Sequence, residues 1–181
     1  DKGSQSVVLI QSFQGGKVLR YGSGAVLTAD GLIITTNNVV PQGADVVQVF
    51  LGDKVIRGKV AKRDFQYNLS LLKIPDTDKP IINLAQSPLN VGDINYIVGK
   101  YIDVNKTMLF SQQSLVSRKK RDFVILDSRY ENDLSGSVLI NKKGEVTGII
   151  FIDGSKVLAV ESEIIKGFFE SFAAAKTNEQ K

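Results

Sequence analysis

Short apolar segments rich in β-branched residues, separated by turn residues, constrain the fold more than any other feature. The series begins at residues 6–12 and ends at residues 156–160, with a break beside Pro75 and Pro80. Many short strands at regular spacing predict an all-β sandwich or barrel. The break divides the strands into two sets of about six. No sequence repeat relates the two sets, although two barrels can share a structure without detectable sequence similarity.

One helix is predicted near the C-terminal end. Glu161, Ser162 and Glu163 supply a cap and an acidic first turn. The apolar residues that follow at helical spacing are Ile164, Ile165, Phe168, Phe169 and Phe172. A stripe of this kind is typical of a helix docked on a core. We therefore expect barrels over residues 5–80 and 81–160, a helix over 161–175 and a flexible tail over 176–181.

The absence of two residue types excludes several kinds of chemistry. The chain contains neither cysteine nor histidine, which rules out disulfides, thiol catalysis and a histidine base or ligand. Carboxylates remain as ligands for a hard cation, and we interpret Asp127, Glu131 and Asp133 as solvated loop acids. We expect no metal and no cofactor. The chain has no run of 18 apolar residues, so we expect no membrane-spanning segment in it.

The charge is mildly basic, with a formal net value of +4. The one dense cluster is Arg118-Lys119-Lys120-Arg121. It is interpreted as the solvated tip of a hairpin; the alternative is a contact to phosphates or to an acidic partner. Aromatic residues that would stack on single-stranded nucleic acid are not interleaved with it. We expect no nucleic-acid partner.

Three segments together resemble the trypsin-like serine proteases of the HtrA/Deg type. They are residues 22–40 (GSGAV, then DGLIITTNNVV), residues 67–74 (YNLSLLKI) and residues 132–149 (NDLSGSVL, then GEVTGI). The flanking residues 91–93 and 158–165 resemble the same family. The resemblance covers roughly residues 6–172, and it implies a trypsin/chymotrypsin-like double six-stranded β-barrel with a C-terminal α-helix.

The resemblance also places the catalytic triad. The family's histidine position holds Asn38, its aspartate position holds Asn68, and its nucleophile is present as Ser135. A carboxamide has no basic lone pair near neutral pH, and Asn68 carries no charge to stabilise a cation. In the oxyanion loop, Asp133 stands before Leu134 where the family has a glycine, and its charge would repel a developing oxyanion.

We therefore expect that the chain is not an enzyme. In this interpretation it is a non-catalytic pseudoprotease with a degenerate triad, acting as a binding, scaffolding or regulatory module. The alternative is a weak or conditionally active HtrA-like serine endopeptidase that uses Ser135 and takes a base from elsewhere.

The expected partner is a protein or an extended peptide bound in the cleft between the barrels. By resemblance, Arg129 lies near the floor of the specificity pocket. Ile150, Phe151 and Ile152 are further candidates for peptide contact. The resemblance implies a bacterial periplasm or cell envelope, although no signal peptide is visible. We expect a monomer, with a family-type trimer as the alternative.

Overall fold

Two closed six-stranded antiparallel barrels and a C-terminal helix make up the fold. The computed structural model describes residues 2–75, 77–129 and 134–179, with the side chains of Lys2 and Glu179 left out. The first barrel contains β1 (Val7–Gln14), β2 (Lys17–Val26), β3 (Leu32–Thr36), β4 (Val46–Leu51), β5 (Lys54–Asp64) and β6 (Leu69–Lys73). The second contains β7 (Ile94–Asp103), β8 (Lys106–Lys119), β9 (Val124–Leu126), β10 (Val138–Ile140), β11 (Val146–Asp153) and β12 (Lys156–Glu161). The helices are α1 (Lys2–Gln5) and α2 (Ser162–Glu179).

Both barrels have the same strand order. Neighbouring strands in the first barrel run β1-β2-β3-β6-β5-β4, and the second barrel runs β7-β8-β9-β12-β11-β10. In each set the third strand therefore pairs with the sixth, and the first strand closes the barrel by pairing with the fourth. This confirms the predicted all-β double barrel and shows that its halves are alike in topology despite their unlike sequences.

The strands that face both barrels are apolar on both sides. Successive side chains of β3 point in opposite directions: Ile33 packs inside the first barrel, while Leu32 and Ile34 pack against residues of the second. Every residue of β3 is buried as a result. The cluster shared by the barrels is formed by Val7, Ala25, Leu32, Ile34, Leu69 and Leu71 from the first and by Val98, Val138, Ile140, Val146, Ile149, Phe151, Leu158 and Val160 from the second, among others. The barrels are thus docked through a continuous hydrophobic interface.

Helix α2 packs on this interface through one face, as its apolar spacing predicts. Ile165 and Phe168 are buried in the shared cluster. The Ser162 hydroxyl donates to the Ala85 carbonyl at 2.8 Å, so it ties the helix to the segment between the barrels. We expected a flexible tail from residue 176, whereas the helix continues to Glu179. Ala173, Ala174, Ala175 and Lys176 are strong helix formers and carry the helix into this stretch.

The basic cluster lies at a hairpin, and this confirms its structural interpretation. Strand β8 ends at Lys119 and β9 begins at Val124, with the Lys120 amide donating to the Phe123 carbonyl at 2.8 Å. The Lys119 ammonium pairs with Glu161 at 3.0 Å. No helix in the described residues combines the length and the apolar character needed to cross a membrane.

Candidate active site

The three positions that the resemblance assigns to a triad lie in turns next to strands. Asn38 lies in a helical turn after β3, where the Val39 and Val40 amides donate to the Thr36 carbonyl. Asn68 immediately precedes β6 and has a left-handed backbone, with φ of 59°. Its carbonyl accepts the Asn37 amide at 3.1 Å. Asparagine is one of the few non-glycine residues that tolerates this conformation.

The structure joins two of these positions directly. The Asn68 side-chain amide donates a hydrogen bond to the carbonyl oxygen of the Asn38 side chain. The two side chains therefore form a neutral amide pair at the positions that the resemblance matches to the aspartate and the histidine. Neither amide is a general base near neutral pH.

A partly buried arginine holds the turn that carries Asn38. The Arg63 guanidinium donates to the Val40 carbonyl, to the Asn37 side chain at 3.2 Å and to the Ser70 hydroxyl at 3.2 Å. Ser70 in turn donates to the Asn37 side chain at 2.6 Å. Burial lowers the pKa of Arg63, but an arginine remains charged. This network fixes the first-barrel side of the site.

Ser135 is fastened to the first barrel although it belongs to the second. The Ser23 amide of β2 donates to the Ser135 carbonyl at 3.0 Å, and the Gly136 amide donates to the Ile150 carbonyl at 2.8 Å. Two glycines make this contact possible. A Cβ on Gly22 would come within 2.5 Å of the Ser135 carbonyl oxygen, and one on Gly136 within 1.8 Å of the Ser23 carbonyl oxygen. The position of Ser135 is therefore set by contact between the barrels.

A cleft between the barrels contains both Ser135 and Asn38. Its volume is about 520 Å³, within the range of sites that bind small ligands or short peptide segments. The lining residues are Val18, Leu19, Arg20, Tyr21, Asn38, Ser135 and Ile152. This arrangement can present a hydroxyl nucleophile to a carbonyl held against apolar side chains.

The other predicted site residues are placed differently. Of the three candidates on β11, Ile152 lines the cleft, whereas Ile150 and Phe151 are buried in hydrophobic clusters. Leu134 is fully buried in the second barrel. Arg129 is exposed and does not belong to the described lining of the cleft.

Asp133, the predicted oxyanion-loop residue, lies outside the described residues, as does Glu131 of the loop acids. Within the described ranges, no cluster of three or more acidic residues could hold a metal ion.

Arg20 and Tyr21 are cleft residues that no motif in the sequence indicates. Both lie on β2, whose hairpin with β1 brings this strand alongside Ser135. No sequence motif distinguishes a strand arginine that lines a cleft from one that only faces solvent. Arg63 was missed for the same reason, since its partners are separated from it by up to 26 residues.

Comparisons with known proteins agree with this geometry. The sequence profile of the family described as "Trypsin-like peptidase domain" matches residues 22–149. The putative serine protease HhoB of Synechocystis is 30% identical over 139 residues, which cover 71% of this chain and 33% of that protein. A probable periplasmic DegP-like serine endoprotease of Marinomonas is 34% identical over 145 residues, 75% of this chain and 30% of that protein.

Two further comparisons extend over more of the chain. The periplasmic serine endoprotease DegP of Escherichia coli is 27% identical over 185 residues, covering 90% of this chain and 39% of that protein. The chain thus spans between 30% and 39% of the length of these three curated relatives. The crystal structure of the serine endoprotease from Yersinia pestis matches with a TM-score of 0.81 at 21% identity, over 93% of this chain and 63% of that one. This last likeness shows the fold.

These findings confirm the HtrA-type resemblance and correct one expectation. We expected from Asn38 and Asn68 that the chain is not an enzyme. That prediction is wrong, because the relatives are named serine endoproteases and the matched profile is that of a peptidase domain. That prediction judged activity from the residues at the triad positions and in the oxyanion loop, and it gave no weight to what the rest of such a scaffold contributes.

Proposed function

Because the chain belongs to the trypsin-like peptidase family, as the match over residues 22–149 establishes, we propose that it is a weak or conditionally active serine endopeptidase domain with Ser135 as its nucleophile. The observation that carries this proposal is the position of Ser135 in the cleft between the barrels, beside Asn38 and fastened to β2. In this proposal Ser135 is the nucleophile, and Asn38 and Asn68 stand at the positions of its usual partners.

The chemistry assigned to this site is acyl transfer at reduced rate. The Ser135 oxygen attacks a peptide carbonyl of the bound chain, and its proton passes to water or to a base that another molecule supplies. The C–N bond then breaks, and the amine leaves with a proton from the same source. Water hydrolyses the resulting ester, which releases the new C-terminal carboxylate and restores the Ser135 hydroxyl. Proteases that lose a triad member still exceed the uncatalysed rate by about 10³-fold, through substrate binding and oxyanion stabilisation. A missing base therefore reduces activity by orders of magnitude without abolishing it.

The substrate that this cleft favours is an extended polypeptide. Val18, Leu19 and Ile152 give it an apolar wall, and its volume accommodates a short segment of chain. By analogy with relatives named periplasmic endoproteases, we propose that the domain acts on proteins in the periplasm.

A fluorophosphonate probe tests the proposal, because it phosphonylates a nucleophilic serine oxygen and releases fluoride. We expect slow labelling of the native chain, none in Ser135→Ala, and native labelling in the control Ser155→Ala, whose serine lies in the exposed β11–β12 turn. Circular dichroism establishes that each variant is folded. Absence of labelling in the folded native chain, or equal labelling in Ser135→Ala, would contradict the proposal.

A further inference from the structure

The amide of Asn38 has a defined orientation. Its carbonyl oxygen accepts the hydrogen bond from Asn68, so the planar carboxamide directs its NH₂ group away from Asn68. The Asn38 side chain forms part of the cleft wall together with Ser135. The position that holds an acceptor nitrogen in a working triad therefore offers N–H donors to the cleft.

The other polar groups of the cleft are suited to the same kind of ligand. Ser135 has a hydroxyl donor, and the Arg20 guanidinium has five N–H donors. One nitrogen of Arg20 donates to the Leu19 carbonyl at 2.8 Å, which leaves the remaining donors for a ligand. Among the described residues of the lining, Arg20 carries the sole charge, since no carboxylate belongs to them. The described wall thus combines donors with positive charge; Asp133, the acid that the resemblance puts in the neighbouring loop, lies outside the described residues.

We propose that this cleft binds a peptide by its C-terminal carboxylate, held by Asn38, Ser135 and Arg20. A carboxylate accepts several hydrogen bonds, and bonds from charged donors are stronger than those between neutral groups. The apolar wall of Val18, Leu19 and Ile152 accommodates the last side chain of the peptide, which we expect to be apolar. The inference rests on the proposed function, because it names the ligand of the same site. Cleavage by an endopeptidase produces such a C-terminal carboxylate.

The test compares two forms of one peptide library. N-acetylated hexapeptides without Asp or Glu are synthesised once as free acids and once as C-terminal amides, and the pools are mixed in equal amounts. The immobilised chain captures peptides from the mixture, and mass spectrometry gives the acid-to-amide ratio. We expect acids to be enriched about tenfold, the effect of one strong charge-assisted hydrogen bond. A ratio near one, or no capture of either form, would overturn the proposal.

Two variants test the assigned donors. Arg20→Gln removes the charge but keeps an amide, and Asn38→Asp replaces the donor by a carboxylate that repels the ligand. Each should lower the enrichment about tenfold, while the control Arg57→Gln, an exposed arginine of β5, should leave it unchanged. Retention of the native ratio in both cleft variants would overturn the assignment. A last pool contains C-terminal amides that carry one Asp or Glu, so its only carboxylate is on a side chain. Capture of this pool equal to that of the free acids would overturn the assignment to the chain terminus.

The outcome is separable from that of the proposed function. Fluorophosphonate labelling without acid enrichment would leave the endopeptidase and remove the carboxylate site. Acid enrichment without labelling would leave the carboxylate site and remove the endopeptidase.

Discussion

Asn68 illustrates at the scale of the residue how a site can keep its backbone while its chemistry changes. The left-handed φ of 59° at this position suits aspartate nearly as well as asparagine. The hydrogen bond to Asn38 joins the two first-barrel positions that we predict for a triad, so the side chains already lie at contact distance. The backbone therefore accommodates the pair of residues that a working triad uses.

We expect the double variant Asn38→His, Asn68→Asp to react faster with fluorophosphonate than the native chain. An imidazole within reach of Ser135 can accept its proton, and general base catalysis contributes about 10²-fold or more. The measurement is the rate constant of labelling, with the same substitutions in a Ser135→Ala background as the control. A rate equal to the native one in a folded double variant would contradict a triad geometry at these positions.

A second prediction at this scale concerns Gly136, with Gly154 as the control position. Both have a positive φ, of 79° and 59°, but the space around them differs. A Cβ on Gly136 would come within 1.8 Å of the Ser23 carbonyl oxygen, whereas nothing lies within 4 Å of one on Gly154. Gly154→Ala should cost about 1 kcal/mol of unfolding free energy from its backbone alone. Gly136→Ala should lower the free energy of unfolding by more than this and should abolish labelling of Ser135. Urea denaturation measures the first effect and the fluorophosphonate probe the second. Equal losses of stability in the two variants would contradict the close contact between Gly136 and Ser23.

At the scale of the element, α2 is bound to the barrels mainly through its aromatic face. Phe168 is 6% exposed and packs in the cluster shared by both barrels, and the Lys62 ammonium lies 5.1 Å from its ring centroid. The helix therefore contributes to the docking of the barrels rather than covering one of them.

Replacement of Phe168 by alanine should lower the free energy of unfolding by about 3 kcal/mol, the usual cost of deleting a buried aromatic side chain. The control is Phe65→Ala, whose ring is 64% exposed and should change stability little. Chemical denaturation followed by circular dichroism measures both. Similar small effects in the two variants would show that α2 is not part of the core.

The elements that sequence predicts well are those whose pattern is local. The β-branched segments, the break near Pro75 and the apolar stripe of α2 each follow from neighbouring residues. The triad positions came from motif resemblance, because Asn38, Asn68 and Ser135 lie far apart in the chain. Arg20 and Arg63 could not be assigned, since their roles depend on which strands the barrels bring together, and register is not readable from one strand.

At the scale of the whole molecule, the shared hydrophobic cluster couples the barrels. Leu69 and Leu71 of the first barrel pack with Val98 and Val138 of the second. Separation of the barrels would expose this surface to water, at a cost proportional to the apolar area. The barrels should therefore not unfold independently.

We expect one cooperative thermal transition for the chain. Calorimetry should give equal calorimetric and van't Hoff enthalpies, the criterion of two-state unfolding. Leu71→Ala, which removes a fully buried side chain of the shared cluster, should lower the midpoint and preserve the single transition. Two resolved peaks in the native chain would contradict strong coupling of the barrels.

The repeated strand order has a consequence for the cleft. Each half supplies a complete set of six strands, and neither half contains the site, because Asn38 and Arg20 belong to the first barrel and Ser135 to the second. If the chain is cut between the halves, every cleft property that depends on both sides is absent from either fragment. Recovery of such a property on mixing the two fragments then measures how far the halves reassemble. The domain could therefore serve as a split reporter in which the cleft itself provides the signal.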